Sequence, residues 1–228
     1  MKVAFGLKAH SGWAALVVLG ESGGRLQVAE RLRIELVESA DASWAKQPYH
    51  AAEEIAGAKD RGLVMGDAES AHRLAVRELT KGNPESAHRL AGELVRKGIA
   101  SARRVAAAEL RAAVRRARAA GREVVACAVL TGDPMPAWSV DEILAVHFRM
   151  HKAEGHLFRD ALARGAVAAG LRLVRVPEKT LDQHAERTLE ARAASLRRTI
   201  AALGKSAGPP WGRDQKDAAL AALIALKG

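Results

Sequence analysis

The segment GLKAHSGWAAL, residues 6–16, indicates the end of one β-strand, a tight turn and the start of a second strand. The apolar runs KVAFGL and GWAALVVLG flank the turn signal AHSG, and a third run, LQVAERLRIELV, follows the turn signal GESGGR. This pattern predicts a three-stranded meander over residues 1–37, with Gly23-Gly24 in the second hairpin turn. Imperfect alternation in the third run predicts a β-bulge or a kink near Ala29-Glu30.

The last hundred residues predict two more strands that alternate with helices. The near-continuous apolar run REVVACAVLTG is typical of a buried strand, and LRLVRVP predicts the next one. Between them a capping box, Ser139 with Glu142, opens a long helix. Its predicted core stripe consists of Ile143, Val146, Met150, Ala153 and Leu157. A basic helical stretch at about 179–203 and a final helix, DQKDAALAALIAL, follow.

An internal repeat lies between the meander and the fourth strand. The heptapeptide ESAHRLA occurs at 69–75 and again at 85–91, an offset of 16 residues. Each copy begins with a helix start signal and ends at a glycine, Gly82 or Gly98, so each predicts a short capped helix. We expect a single domain over 1–228 with a helical insertion at 40–98 that contains the duplication, followed by a longer helix at 99–120.

The charge of the chain makes a polyanion the first partner to consider. The formal net charge is +10 over 228 residues, and the sequence pI is about 10.2. On the helix at 99–120 the basic stripe, defined as Arg104, Arg111, Arg115 and Arg118, could follow a phosphate backbone of DNA or RNA. The alternative is a solvated helix face. With one cysteine, no apolar run of membrane-span length and no signal-peptide core, we expect a cytoplasmic protein without membrane contact.

Three segments in the right order resemble the ribonuclease H-like fold, and within it the RuvC-type Holliday junction resolvases. The first turn, GLKAHSGWAAL, is similar to a family pattern of Gly, hydrophobic, Asp, Pro-Gly and then Gly-Trp-Ala. Residues 151–181 resemble the long helix and fifth strand, and DQKDAALAAL matches the closing pattern. The resemblance covers 1–37 and 122–228 and implies an α/β fold, with a mixed five-stranded sheet, flanking helices and the helical insertion.

The chemistry that the resemblance implies depends on carboxylates holding two divalent metal ions, Mg²⁺ or Mn²⁺. Asp214 and Asp217 match the closing pair, and their spacing of three puts both on one helical face. Lys8 stands where the first-strand acid would be, and the fourth-strand acid would fall near Thr131, with Asp133 two residues further. The candidate catalytic residues are therefore Lys8, Asp133, Asp214 and Asp217, and we expect an ion pair between Lys8 and one of the last two.

Two other constellations have a functional and a structural interpretation. His147, His151 and Glu154 lie at i, i+4 and i+7, which would suit a metal ion, or a polar helix face with hydrogen-bonded imidazoles. His10 could approach that face or join a rearranged active site. Trp211, in a loop stiffened by two prolines, could stack on a nucleic-acid base or cover the end of the core.

The leading hypothesis is a nucleic-acid-binding RuvC-like protein with a degenerate nuclease site. The alternatives are a metal-dependent nuclease with a rearranged site and a protein-interaction scaffold. Whether the protein is an enzyme stays open at this point, as does any cofactor beyond Mg²⁺ or Mn²⁺. DNA or RNA is the expected partner, and a homodimer is a further candidate assembly.

Overall fold

The computed structural model describes residues 1–38, 43–56 and 83–228, which form five strands and seven α-helices. The strands are β1 (Lys2–His10), β2 (Trp13–Ser22), β3 (Arg25–Glu35), β4 (Glu123–Thr131) and β5 (Leu173–Pro177). The helices are α1 (Pro48–Ala56), α2 (Pro84–Ala119), α3 (Val140–Leu144), α4 (His147–Ala168), α5 (Leu181–Leu189), α6 (Ala193–Ala207) and α7 (Arg213–Lys227).

The five strands form one mixed sheet in the order β3-β2-β1-β4-β5. Strands β1, β2 and β3 pair antiparallel, whereas β1 with β4 and β4 with β5 pair parallel. This is the five-stranded arrangement expected for a ribonuclease H-like fold, so the predicted fold class is confirmed. No helix in the described ranges is both long and apolar enough to cross a lipid bilayer.

The first hairpins agree with the turn chemistry of the sequence. Gly23 and Gly24 connect β2 to β3 with φ of 56° and 73°, values that glycine adopts without a steric penalty. Val18 pairs with Glu30 and Leu19 with Val28, so Ala29 is left unpaired as a bulge. Both predictions for the meander are confirmed.

Helices cover both faces of the sheet. On one face, the β1 side chains Val3, Phe5 and Leu7 pack in a core with α2 and α4. On the other face, the small side chains of β1, β4 and α7 form a second core together with α5 and α6. Gly6 allows the closest approach there, because an added Cβ would lie 1.8 Å from the Ala218 carbonyl oxygen. The backbone of α7 is therefore seated directly on β1.

The helical region before β4 differs from the prediction. A single 36-residue helix, α2, passes through Gly98 instead of ending there. Glycine inside a helix costs only about 1 kcal/mol, and here it admits Pro48, which an added Cβ would approach to 2.8 Å. The predicted helix end at Gly98 is wrong, and the helical insertion that the structure describes lies at 84–119. The first repeat copy lies outside the described residues, and the insertion bounds 40–98 stay a prediction.

The helix predicted from Ser139 is divided in two. Its capping box is present, since the Ser139 hydroxyl accepts from the Glu142 amide and the Glu142 carboxylate accepts from the Ser139 amide. The chain then leaves the helix at Val146, whose backbone is extended (φ −139°, ψ 112°) and whose surface is 40% exposed. A β-branched residue fits extended backbone well. Because Val146 is exposed, the core position predicted for it is wrong, and α4 begins at His147.

Candidate functional site

The site is built around Lys8, near the carboxyl end of β1. Successive side chains of a strand point to opposite faces of the sheet. Because Val3, Phe5 and Leu7 face α2 and α4, Lys8 belongs to the face that carries α7. The Lys8 side chain is only 7% exposed. Burial of an ammonium group requires compensating charges nearby.

Three carboxylates surround the Lys8 ammonium and define what we call the Lys8 cluster. Lys8 Nζ donates to Asp217 Oδ2 at 2.8 Å and lies 3.1 Å from Glu178 Oε1 and 3.3 Å from Asp214 Oδ1. Asp214 and Asp217 come from the first turn and a half of α7, where the helix dipole favours negative charge. Glu178 directly follows β5. The predicted ion pair of Lys8 with Asp214 or Asp217 is confirmed.

Two arginines complete the charge balance of the Lys8 cluster. Arg197 on α6 donates to Asp217 Oδ1 at 2.6 Å, and Arg159 on α4 donates to Glu178 Oε2 at 2.9 Å. With Lys8, these side chains bring three cations to the three carboxylates, and the exposed Arg213 lies 3.7 Å from Asp217 Oδ2. Arg197 also lies 2.6 Å from Asp182 and thereby connects the cluster to the start of α5. Asp217 is bound by cations on both carboxylate oxygens.

The pKa values of the cluster reflect this pairing. Burial by itself raises the pKa of Asp217, but the hydrogen bonds from Lys8 and Arg197 outweigh it and hold the pKa below its usual range. The pKa of Glu178 is lowered in the same way, against burial, by Lys8 and Arg159. Burial lowers the pKa of Lys8, yet its hydrogen bonds to Asp217 and Glu178 leave that pKa raised. All three groups are therefore charged at neutral pH.

An aromatic stack borders the Lys8 cluster. His10 Nε2 lies 3.1 Å from Asp214 Oδ2, and the His10 ring stacks on Trp13 with 4.2 Å between ring centroids. The Arg33 guanidinium lies over the Trp13 ring, 4.0 Å from its centroid. His10 is two residues after Lys8 on the same strand and so faces the same side of the sheet. It belongs to this cluster and not to the histidine face of α4.

Sequence reasoning identified part of the cluster and missed the rest. It had no signal for Arg159 or Arg197, and it placed Asp133 where the structure has Glu178. Asp133 instead forms an ion pair with Lys179 at 2.5 Å, with both side chains largely exposed. Glu178 could have been found, because β1, β4 and β5 are parallel and their carboxyl ends share one edge of the sheet.

The histidine face of α4 receives a third imidazole from α1. His147 Nε2 and His151 Nε2 are 3.0 Å apart, and His50 packs against both rings. Glu154 is not at this surface: its side chain is 8% exposed, and its Oε1 accepts from the backbone amides of Tyr49 and His50. The structure therefore replaces Glu154 with His50 beside the two predicted histidines.

The basic stripe is partly engaged within the protein. Arg104 pairs with Glu38 at 2.6 Å, and Arg111 donates to the Ala168 carbonyl at 3.1 Å. Arg115 and Arg118 are exposed, and within the described residues neither of these two side chains forms a hydrogen bond or an ion pair. A role for the stripe in nucleic-acid binding stays a prediction.

Trp211 is half-buried in the loop between α6 and α7. Its indole N–H donates to the Ile200 carbonyl at 3.0 Å, and its ring lies against Gly204, where an added Cβ would approach to 2.4 Å of a ring carbon. These contacts place the ring over the edge of the core between α6 and α7. Stacking of Trp211 on a nucleic-acid base stays a prediction.

No protein-family model matches the chain, and no curated protein matches it. Among solved structures, a Thermus thermophilus RuvC structure matches with a TM-score of 0.44 and 9% identity, covering 97% of this chain and 92% of the other. T. thermophilus RuvC in complex with a Holliday junction substrate matches with the same score and identity, covering 98% and 92%. At this level of similarity neither match bears on activity. The ribonuclease H-like fold is assigned from the order and directions of the chain's own strands.

Proposed function

We propose that the protein binds nucleic acid through a RuvC-like domain whose nuclease site is degenerate. The observation that carries the proposal is the Lys8 ammonium, which lies within 3.3 Å of the three carboxylates that would otherwise be available to a metal ion. Catalysis of phosphodiester cleavage in folds of this kind depends on carboxylates that hold divalent metal ions against the scissile phosphate.

The residues of the Lys8 cluster do not fit a two-metal centre. Mg²⁺ requires several oxygen ligands in near-octahedral geometry at about 2.0–2.1 Å. Both oxygens of Asp217 and both oxygens of Glu178 are already bound by Lys8, Arg197 or Arg159. A metal ion would have to displace the buried Lys8 ammonium from the centre of the three carboxylates. If both cations stayed among the same carboxylates, they would repel each other strongly. The arrangement supports a structural role for the carboxylates.

The charge distribution supports a nucleic-acid partner. The net charge of +10 favours association with polyanions of any sequence. On α2, Arg115 and Arg118 present exposed guanidinium groups one turn apart. Their spacing of three puts them on one side of the helix, where they would contact successive phosphates. Branched DNA is the first substrate to test, because the sequence motifs resemble those of junction resolvases.

Binding to a four-way DNA junction and to a linear duplex, measured by fluorescence anisotropy over a series of salt concentrations, tests the proposal. Each phosphate contact contributes about 0.9 to the slope of log K against log salt. The variant Arg115→Glu/Arg118→Glu should bind more weakly, with a slope reduced by about 2. The matched control, Arg187→Glu/Arg192→Glu, makes the same charge change on the opposite face of the sheet and should lose less. Equal losses of DNA affinity in both variants would show that the effect comes from the overall charge of the protein and not from Arg115 and Arg118.

Cleavage of the same DNA with Mg²⁺ or Mn²⁺ separates a degenerate site from an active one. We expect no products from the unmodified protein. Lys8→Asp should add metal binding without restoring cleavage, since the fourth-strand position near Thr131 still lacks an acid. Metal-dependent cleavage by the unmodified protein that is abolished by Asp217→Asn would instead establish a nuclease rebuilt around Lys8.

A further inference from the structure

A cluster of three histidines lies at the junction of α1 and α4, on residues separate from the Lys8 cluster. His147 and His151 occupy successive turns at the start of α4, and His50 comes from the first turn of α1. Within the described ranges, these are the three residues whose metal-ligating atoms all lie within 4.8 Å of one another. The ring centroids of His50 and His147 lie 4.7 Å and 4.6 Å from that of His151.

We propose that His50, His147 and His151 bind a Zn²⁺ ion that ties α1 to α4, with Glu53 orienting the His147 imidazole. Three nitrogen ligands around Zn²⁺, at about 2.0–2.1 Å each, lie about 3.3 Å from one another in a tetrahedral site. His147 Nε2 and His151 Nε2 are already 3.0 Å apart. Small rotations of the exposed His147 and His151 side chains toward the half-buried His50 would therefore complete the site.

Glu53 fixes the coordinating nitrogen of His147. The Glu53 carboxylate lies 3.1 Å from His147 Nδ1, so that nitrogen carries the proton, and Nε2 presents its lone pair. A carboxylate behind a metal-binding imidazole is the usual outer-shell arrangement. Without a metal ion, two facing Nε2 atoms need one donor and one acceptor. With Zn²⁺ between them, both Nε2 atoms act as ligands.

Glu154 supplies an independent observation. Its side chain is more than nine-tenths buried, and its Oε2 has no hydrogen-bond partner in the described structure. Oε1 lies 3.5 Å from His50 Nδ1 and holds the first amides of α1. No Lys or Arg of the described residues pairs with this carboxylate. A buried carboxylate without a cation is costly, and a divalent ion bound to His50 would provide the missing positive charge.

The chemistry of the ligands favours Zn²⁺ over the ions expected in a nuclease. Imidazole nitrogens suit Zn²⁺, whereas Mg²⁺ prefers hard oxygen ligands. The His147 side chain is 59% exposed, which leaves a fourth coordination position open to water. Three protein ligands with an open position are typical of Zn²⁺ sites that bind a further small ligand. The histidine site and the Lys8 cluster can therefore be tested separately.

Isothermal titration of the EDTA-stripped, tag-free full chain with Zn²⁺ tests the proposal. We expect one Zn²⁺ per chain, no competition from Mg²⁺, and visible d–d absorption of four-coordinate Co²⁺ in the same site. His147→Ala/His151→Ala should weaken Zn²⁺ binding more than 100-fold, because loss of an outer-shell partner alone costs about 10–100-fold. Glu53→Gln should fall in that outer-shell range while leaving the melting temperature of the metal-free protein unchanged.

The control is His88→Ala, which removes a half-exposed histidine of α2 outside the cluster and should bind Zn²⁺ like the unmodified protein. Circular dichroism of the metal-free variants separates a lost ligand from a lost fold, and the exposure of His147 makes a folded variant the expected result. The proposal is overturned if the unmodified chain takes up no Zn²⁺, or if His147→Ala/His151→Ala binds it as tightly as the His88→Ala control.

Discussion

Replacing Lys8 with methionine removes the charge of the central ammonium while keeping a side chain of similar length. At an effective dielectric constant of about 20, each contact of Lys8 at roughly 3 Å contributes about 5 kcal/mol of gross attraction. Much of this offsets the cost of burying the ammonium. After the substitution, Asp217 keeps Arg197 and the more distant Arg213, and Glu178 keeps Arg159.

The expected loss of unfolding free energy follows from that remaining charge. Removal of one partner from a buried ion pair typically costs about 3–5 kcal/mol. These arginines and the partial exposure of Asp214, 29% at the side chain, reduce the cost to its lower end. We therefore expect Lys8→Met to destabilise the protein by about 3 kcal/mol at pH 7.

Urea unfolding followed by circular dichroism measures this loss, and Lys179→Met is the matched control. Lys179 also pairs with an aspartate, Asp133, but both side chains are mostly exposed. Exposed pairs contribute little to stability, so the control should unfold close to the unmodified protein. A double-mutant cycle of Lys8→Met with Asp217→Asn should show strong coupling. If Lys8→Met were as stable as Lys179→Met, the ammonium would not be what holds the carboxylates together, and the argument for a structural cluster would fail.

Two further predictions concern pH and packing. The folded-state pKa values of Asp217 and Glu178 are lowered, so their contribution to folding stability is present above the ordinary carboxyl range and is lost as the pH falls through the lowered values. The difference in urea midpoint between the unmodified protein and Lys8→Met should therefore shrink between pH 5 and about pH 2. A difference that stayed constant with pH would contradict the pairing of Lys8 with these carboxylates. Gly6→Ala should destabilise the protein by at least about 1–3 kcal/mol, since its Cβ would lie 1.8 Å from the Ala218 carbonyl oxygen. The control is Gly132→Ala, where an added Cβ would approach the flexible Arg159 side chain, at 3.2 Å. Equal thermal stability of the two variants would show that α7 does not lie so close to β1.

Much of the fold could be predicted because its signals are local. The glycine pair at the second hairpin, the bulge at Ala29 and the capping box at Ser139 each depend on residues within a few positions of one another. The pairing of Lys8 with the last helix was also within reach, since it follows from the resemblance in chain order and from the spacing of Asp214 and Asp217. In each case the chemistry of a short segment restricts the backbone or the exposed face directly.

Other features are decided by contacts between distant segments. Glycine is typical of helix ends, but Gly98 lies inside α2, where Pro48 packs against it and the helix continues. Glu178 reaches Lys8, and Arg197 reaches Asp217, because parallel strand order and helix packing bring their segments to one edge of the sheet. No local pattern connects His50 with His147 and His151, almost a hundred residues later. A local sequence pattern indicates the secondary structure that a segment favours. Sheet register and helix packing determine which segments come into contact, and the charges and ligands of both candidate sites depend on those contacts.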